Sequence, residues 1–336
     1  MQFSIFDYSL KKEDIQKLLE RLKKEYEIIA PVKQGKDYNF QIINSVQQLD
    51  LTDYQNTRFP PKKFFLPNSE TLFTFKKNGE VKMSTEIKKE RRVIFGIRPC
   101  DVNGLLTMDK VFIDDYKDPF YQERRKNTVL IALNCKKTGD HCFCESLGTN
   151  YVEDADLLLT DLENEYIVEV QSEIGNKIVN DNQDLFTITH QKIEKTKLKC
   201  KKNVNAEKLV ESLNKGFNNK IWEKEAERCI SCAACTIVCP TCYCYDIQDV
   251  MNIEGKEGQR IRKWNFCMLL NFTRVAGNHV FRQNRTERLK QFVCHKLCYL
   301  KEMKDIFLCV GCGRCTQSCI VDIDLTKIAN ELSGKK

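Results

Sequence analysis

The chain has 336 residues, of which 42% are hydrophobic and 30% are charged, and its formal net charge is +7. This length allows two domains with separate cores, and the composition is that of an ordinary globular protein. No apolar run approaches the roughly 18 residues that a membrane-spanning helix needs, so a membrane association is expected only through a partner. The start of the chain lacks the basic and apolar regions of a signal peptide, which predicts a cytoplasmic protein.

The basic excess does not indicate a nucleic-acid-binding protein. The chain contains 18 cysteines, and each 4Fe-4S cluster bound by four thiolates contributes a net charge of about −2. Two clusters would therefore lower the net charge to about +3, and three clusters would lower it to about +1. No basic and aromatic RNA- or DNA-binding motif accompanies the charge. Nucleic acid is not an expected partner.

Residues 1–205 predict an α/β domain. Glu13 to Tyr26 carries apolar residues at helical spacing and predicts an amphipathic helix. Val93 to Ile97 and Val129 to Leu133 are buried-strand runs separated by a helical segment at 102–112, a pattern typical of parallel neighbouring strands. Shorter strands are expected at 28–30, 40–43, 72–75, 157–159 and 166–170.

Four cysteines are expected at the carboxyl edge of this parallel pair. Cys100 follows the first strand, Cys135 follows the second, and Cys142 and Cys144 come shortly afterwards. This edge is where α/β proteins bind ligands, so the pattern indicates a metal site, called here the third site. A 4Fe-4S cluster, a zinc ion and unliganded buried thiols all remain compatible with it. His141 could replace one of the thiols.

Residues 206–336 predict an α-helical, ferredoxin-like domain that carries two cysteine motifs. In each motif the four cysteines are separated by two, two and three residues. Three closely spaced thiolates can bind one iron-sulfur cube while the fourth binds the other cube. The predicted first site consists of Cys229, Cys232, Cys235 and Cys319. The predicted second site consists of Cys309, Cys312, Cys315 and Cys239.

A zinc ribbon and a disulfide framework fit the two motifs less well. A zinc ribbon needs two cysteine pairs around one tetrahedral ion. Each four-cysteine motif contains an extra cysteine at a position that does not fit that geometry. A disulfide framework disagrees with a reducing compartment. The segment between the motifs is expected to be helical, with a capping box at Asn284 and Glu287, so the clusters should lie between helices.

The remaining cysteines allow two interpretations. Cys242, Cys244 and Cys267 either pack around the clusters or form a further metal site, with His279 or His295 as a possible additional ligand. Three others are interpreted as core or incidental residues, namely Cys200, Cys294 and Cys298. Five arginines could form a solvated basic face, meet an acidic partner or donate to cluster sulfurs, namely Arg260, Arg262, Arg282, Arg285 and Arg288.

The chain lacks the motifs of a self-sufficient enzyme. It has neither a Gly-x-Gly-x-x-Gly after a strand nor a Walker loop, and its four histidines are scattered. Several one-electron centres without a visible substrate site predict an electron-transfer subunit. Two alternatives remain: an oxidoreductase with an unrecognised flavin site, and a binding module with structural metals.

Several segments resemble a known family. They are 97–102, 134–135, 142–149 and 239–244. Together they resemble the β subunit of cytoplasmic sulfhydrogenases and the electron-transfer subunit of the anaerobic sulfite reductase. The sequence around Arg98 to Asp101 and Asp118 to Tyr121 is closer to the sulfhydrogenase type. The chain departs from the family pattern at Ala233, where glycine is usual, and at Ile320, where proline is usual.

The resemblance implies an iron-sulfur subunit in a hetero-oligomer. Such a subunit relays electrons between a flavin-containing, nicotinamide-binding partner and a catalytic partner. In the sulfhydrogenase type the catalytic partner is a NiFe hydrogenase, and in the sulfite reductase type it is a sirohaem subunit. Any flavin would be bound by the partner and not by this chain.

Overall fold

The computed structural model describes residues 7–78, 80–190 and 198–334. The strands are β1 (Asp7–Lys11), β2 (Glu27–Gln34), β3 (Asp37–Ile42), β4 (Ser69–Asn78), β5 (Glu80–Ser84), β6 (Arg92–Ile97), β7 (Thr128–Leu133), β8 (Leu157–Asp161), β9 (Glu165–Val170), β10 (Phe186–Thr189), β11 (Tyr245–Met251) and β12 (Glu257–Trp264). The helices are α1 (Asp14–Leu22), α2 (Pro99–Asp109), α3 (Pro119–Lys126), α4 (Glu173–Asn180), α5 (Leu209–Lys215), α6 (Ile221–Arg228), α7 (Ala234–Ile237), α8 (Arg285–Cys294), α9 (Leu300–Lys304), α10 (Arg314–Gln317) and α11 (Leu325–Leu332). The first six residues, on which the signal-peptide expectation partly rests, lie outside the described residues.

The larger sheet has the strand order β10-β1-β9-β8-β7-β6-β2-β3. Its central strands β2, β6, β7 and β8 run parallel, and the outer strands run antiparallel. Every residue of β7 is buried, as expected for a parallel strand covered on both faces. The predicted strand, helix, strand unit is confirmed, with α2 beginning at Pro99 directly after β6.

The smaller sheet joins distant parts of the chain. Its order is β11-β12-β4-β5, so two strands come from each side of the predicted boundary near residue 205. The expectation that the segment between the cysteine motifs is helical is therefore wrong for 245–264, which form an antiparallel ribbon. The ribbon pairs with β4, which links the two predicted domains by hydrogen bonds. The boundary itself stays a prediction.

Helices cover the cysteine motifs. A hydrophobic cluster packs α5, α6, α8 and α11 around them, with Trp222, Val293, Leu297 and Ile328 almost fully buried. The expected capping box at Asn284 and Glu287 is present at the start of α8. Helix α8 continues as a π-helical turn, His295–Tyr299. Among the described residues, no helix is both long and apolar enough to cross a lipid bilayer.

Candidate metal centre

The four predicted first-site cysteines line one small cavity. Cys229, Cys232, Cys235 and Cys319 share a cavity of about 30 Å³ whose remaining walls are mostly apolar. Helix α6 ends at Arg228, so Cys229 lies where the helix gives way to an extended residue. The fourth cysteine comes from the other motif, far along the chain, which is the exchange that the spacing predicts.

Both motifs turn through left-handed residues. Ser231 and Ala233 have φ values of 55° and 62°, and the equivalent Gly311 and Gly313 have φ values of 62° and 73°. These turns point backbone N–H groups at sulfur: the Ser231 N–H lies 3.4 Å from Cys229 Sγ, and the Gly311 N–H lies 3.4 Å from Cys309 Sγ. N–H groups directed at sulfur stabilise thiolates, so the loops suit metal-bound cysteines.

Ala233 provides a test of this loop strain. An alanine in the left-handed conformation costs about 1 kcal/mol or more relative to glycine. We expect Ala233→Gly to raise the free energy of unfolding by about 1 kcal/mol, measured by anaerobic urea denaturation of proteins with equal iron content. Ala234→Gly is the matched control: it lies in the first turn of α7 and should destabilise the protein by about 1 kcal/mol or less. Equal stability of Ala233→Gly and the parent would contradict the assignment of strain.

The second-site cysteines also converge. Burial raises the pKa of the Cys315 thiol well above its ordinary value, and the neighbouring thiols of Cys309, Cys312 and Cys239 raise it further. Burial raises the pKa of Cys309 to about 12, so this thiol is protonated at neutral pH without a metal. The positive charge of iron is what would make Cys309 a thiolate, and binding would then release its proton.

The third site surrounds a larger cavity. Its volume is about 200 Å³, and it is lined by all four predicted cysteines together with Cys312 of the second site. Burial raises the pKa of Cys142 to about 12. Cys100 and Cys144 are buried with only 8% of their surface exposed. The arrangement agrees with the expectation that the strand ends bring these thiols to one sheet edge.

Cys200 belongs to this group, although the sequence suggests an incidental residue. Its Sγ lies 3.7 Å from Cys144 Sγ, and its N–H donates to the Glu145 carboxylate. The interpretation of Cys200 as a lone cysteine is therefore wrong. No sequence signal predicts the contact, because a lysine-rich connector and a long stretch of chain separate the two cysteines.

The third site and the second cysteine motif are in direct contact. The Phe143 N–H donates to Gly311 O at 2.8 Å. A side chain at Gly311 would lie 2.5 Å from Cys144 N, and one at Gly313 would lie 2.5 Å from His141 O. These two glycines are needed both for their positive φ and for the close approach of the Cys142 loop. The close packing of these two loops therefore makes the second and third sites neighbours.

The residues around the third site fit a bound inorganic group. His141 Nδ1 is buried and has no hydrogen-bond partner, and an unpaired polar atom beside several buried thiols is costly in a site that stays empty. No three His, Cys, Asp or Glu side chains in the described part of the chain lie close enough to share a single metal ion. An iron-sulfur cube spaces its thiolates further apart than one zinc ion does, and the four predicted third-site thiols line a cavity of about 200 Å³.

A buried ion pair joins the second motif to α2. Arg314, between Cys312 and Cys315, donates to both carboxylate oxygens of Asp101 at 2.6 and 2.7 Å. The two side chains are 2% and 0% exposed. Asp101 is adjacent to Cys100, so this pair holds the third site against the second. Neither residue is identifiable as an internal ion pair from the sequence, because the two lie 213 positions apart.

Two buried lysines lie near the second site. Lys62 and Lys296 are 1% and 2% exposed. Lys296 Nζ donates to Thr241 Oγ1 at 2.9 Å, and that hydroxyl contacts Cys239 Sγ at 3.4 Å. Lys62 Nζ donates to Cys242 O at 2.7 Å. Within the described residues neither lysine forms an ion pair with a carboxylate, and burial lowers the pKa of Lys62.

The arginines and histidines that the sequence suggested as candidates differ in their surroundings. Arg262 is 3% exposed and is paired with Glu70 and Asp118, and Arg288 is buried and donates to backbone carbonyls. The expectation of a uniformly solvated basic face is wrong for these two. His279 is exposed, and burial lowers the pKa of His295 to about 4.

Comparison with known proteins identifies an iron-sulfur domain and a family. Residues 228–323 match the model of the 4Fe-4S dicluster domain. The chain is similar to sulfhydrogenase 2 subunit beta of Pyrococcus furiosus, with 37% identity over 325 residues that cover 93% of this chain and 94% of the relative. The chain belongs to the family of iron-sulfur β subunits of sulfhydrogenases.

Proposed function

We propose that this chain is the electron-relay subunit of a cytoplasmic, sulfhydrogenase-type complex. It would carry electrons between a flavin- and nicotinamide-binding subunit and a NiFe hydrogenase subunit, and would bind no flavin itself. The observation that carries the proposal is that the three cysteine sites adjoin one another. The first and second sites each take cysteines from both motifs, and Cys312 of the second site lines the third-site cavity.

The proposed ligand sets are those predicted from the sequence. The first site comprises Cys229, Cys232, Cys235 and Cys319, the second comprises Cys239, Cys309, Cys312 and Cys315, and the third comprises Cys100, Cys135, Cys142 and Cys144. A 4Fe-4S cluster bound at each would supply one-electron transfer. The chain's own contribution is to exclude water, to direct N–H groups at the thiolates and to hold the sites next to one another.

The experiment is a metal count on the full chain. Anaerobically purified and reconstituted protein should contain at least about 12 iron atoms per chain, from three clusters of four. Replacing Cys100 and Cys135 by serine should lower iron by about four atoms. The matched control is Cys294→Ser with Cys298→Ser, because these cysteines are buried on or next to α8 and outside the three sites.

Four outcomes would contradict the proposal or one of its ligand sets. Zinc in place of iron would remove the electron-transfer role. A flavin spectrum from the chain expressed alone would favour a self-sufficient oxidoreductase. Clusters that dithionite does not reduce would indicate structural metals. An unchanged iron content in the Cys100 and Cys135 variant would indicate that those thiols bind no metal and pack as part of the hydrophobic core.

A further inference from the structure

The segment 198–204, called here the strap, runs along the loop that carries two of the third-site cysteines. It forms neither a helix nor a strand, so contacts with its neighbours determine its position. Thr138 Oγ1 donates to Lys199 O at 3.1 Å, and the Val204 N–H donates to Ser146 Oγ at 3.1 Å. The strap is therefore attached to the third-site loop on both sides of its paired cysteines.

Two further contacts hold the middle of the strap. The Lys201 ammonium pairs with the Asp140 carboxylate, and the Cys200 N–H donates to the Glu145 carboxylate at 2.8 Å. Because its backbone is held on both sides, Cys200 presents its side chain to the site and not to solvent alone.

The Cys200 thiol contacts a proposed ligand from outside the cavity. Its Sγ lies 3.7 Å from Cys144 Sγ, and it packs in one small cluster with Cys100, Cys142 and Cys144. The described residues that line the third-site cavity include Cys144 and Leu198 but not Cys200. Cys200 is thus the neighbour of a ligand, which is the position from which a side chain orients a ligand without binding the metal.

The contact between the two thiols has a chemical consequence once iron is bound. A cysteine that binds iron is a thiolate and has no proton to donate. The two sulfurs are close enough for an S–H···S hydrogen bond, so the donor in the iron-loaded protein is the Cys200 S–H. A reduced cluster carries one more negative charge than an oxidised one, and a donor at a ligand sulfur therefore stabilises the reduced state more.

We infer that Cys200 positions Cys144 through an S–H···S hydrogen bond and thereby raises the reduction potential of the third cluster. The inference rests on the proposed function, because it requires a cluster bound by Cys144. Cys200 itself is neither oxidised nor reduced, and electrons enter and leave the cluster alone. The strap then has a function, which is to hold this donor against the ligand.

The test compares two replacements of Cys200 in the reconstituted full chain, by redox titration followed by electron paramagnetic resonance. Cys200→Ala removes the donor and should lower one midpoint potential. The expected change is about tenfold in the equilibrium constant for reduction, which is about 59 mV for one electron. Cys200→Ser keeps a hydrogen-bond donor and should restore most of the parent potential. The affected potential should be that of the cluster which Cys100→Ser with Cys135→Ser removes.

Two controls accompany the titration. Cys200 is partly exposed, so neither replacement should disturb folding, and an iron content equal to that of the parent verifies this. Cys298→Ala is the matched variant, because the Cys298 thiol donates to Asn214 Oδ1 at 3.5 Å and lies outside the three sites. It should leave every midpoint potential unchanged.

Four results would overturn the inference and leave the proposed function in place. An unchanged potential in Cys200→Ala would show that no hydrogen bond reaches the ligand. Equal shifts in Cys200→Ala and Cys200→Ser would indicate lost packing and not a lost donor. A higher potential in Cys200→Ala would show that Cys200 faces the cluster as an anion. A loss of about four iron atoms from Cys200→Ala would make Cys200 itself a ligand. By contrast, an unchanged iron content in Cys100→Ser with Cys135→Ser contradicts the third-site ligand set, and this inference with it.

Discussion

Replacing Arg314 by methionine should lower the free energy of unfolding by about 3–5 kcal/mol. The change leaves the Asp101 carboxylate at 0% exposure without its guanidinium, and an unpaired buried charge is among the costliest single defects in a protein. Arg314 also donates to Thr57 O at 2.7 Å, so the change loosens the 56–57 segment as well. The measurement is anaerobic urea denaturation, followed by circular dichroism, of proteins loaded with equal iron.

Two variants separate the buried charge from a general loss of packing. Arg260→Met breaks a pair of the same bidentate type, with both contacts to Asp249 at 2.7 Å, but its side chains are 43% and 45% exposed. That change should cost far less, because solvent screens an exposed ion pair. Adding Asp101→Leu to Arg314→Met removes the stranded carboxylate and should recover part of the loss. A cost for Arg314→Met no larger than that for Arg260→Met would show that the pair does not hold the second motif against α2.

The features that the sequence predicts are those that depend on local spacing. The motif spacing predicts that Cys319 joins Cys229, Cys232 and Cys235, and these four thiols line one cavity. The order of strand, helix and strand predicts that Cys100 and Cys135 share a sheet edge, and both line the third-site cavity. In each case the positions of the cysteines follow from how a short loop or a parallel pair must fold.

The features that the sequence does not predict depend on contacts between distant residues. Lysine is usually a surface residue, yet Lys62 and Lys296 are both buried, and their ammonium groups donate to Cys242 O and Thr241 Oγ1. Cys200 reaches Cys144 through a connector without periodicity. The β11–β12 ribbon carries one signal, the glycine at its turn, because Gly255 has a φ of 67°. All seven residues of β11 are exposed, so hydrophobicity gives little indication of that strand.

Replacing Lys296 by methionine should make the cluster at the second site harder to reduce. Lys296 is bound to this site twice: its ammonium reaches Cys239 through Thr241, and its carbonyl accepts the Cys309 N–H at 3.1 Å. Burial lowers the pKa of its ammonium, but the neighbouring thiols of Cys239 and Cys242 outweigh burial and raise it. The group is therefore a cation at neutral pH. A nearby cation favours the more negative, reduced state of a cluster.

The expected shift follows from the charge. The interaction energy of two unit charges about 6 Å apart, at an effective dielectric constant of about 20, is about 3 kcal/mol. For a one-electron couple this energy corresponds to a shift in midpoint potential of about 120 mV. One midpoint potential should fall by roughly this amount in a redox titration followed by electron paramagnetic resonance, and the first-site potential should move less. Lys256→Met, on the exposed turn between β11 and β12 with a side chain 64% exposed, should leave all potentials in place because solvent screens its charge. If the potentials of Lys296→Met match those of the parent, the lysine stabilises the fold without tuning the cluster.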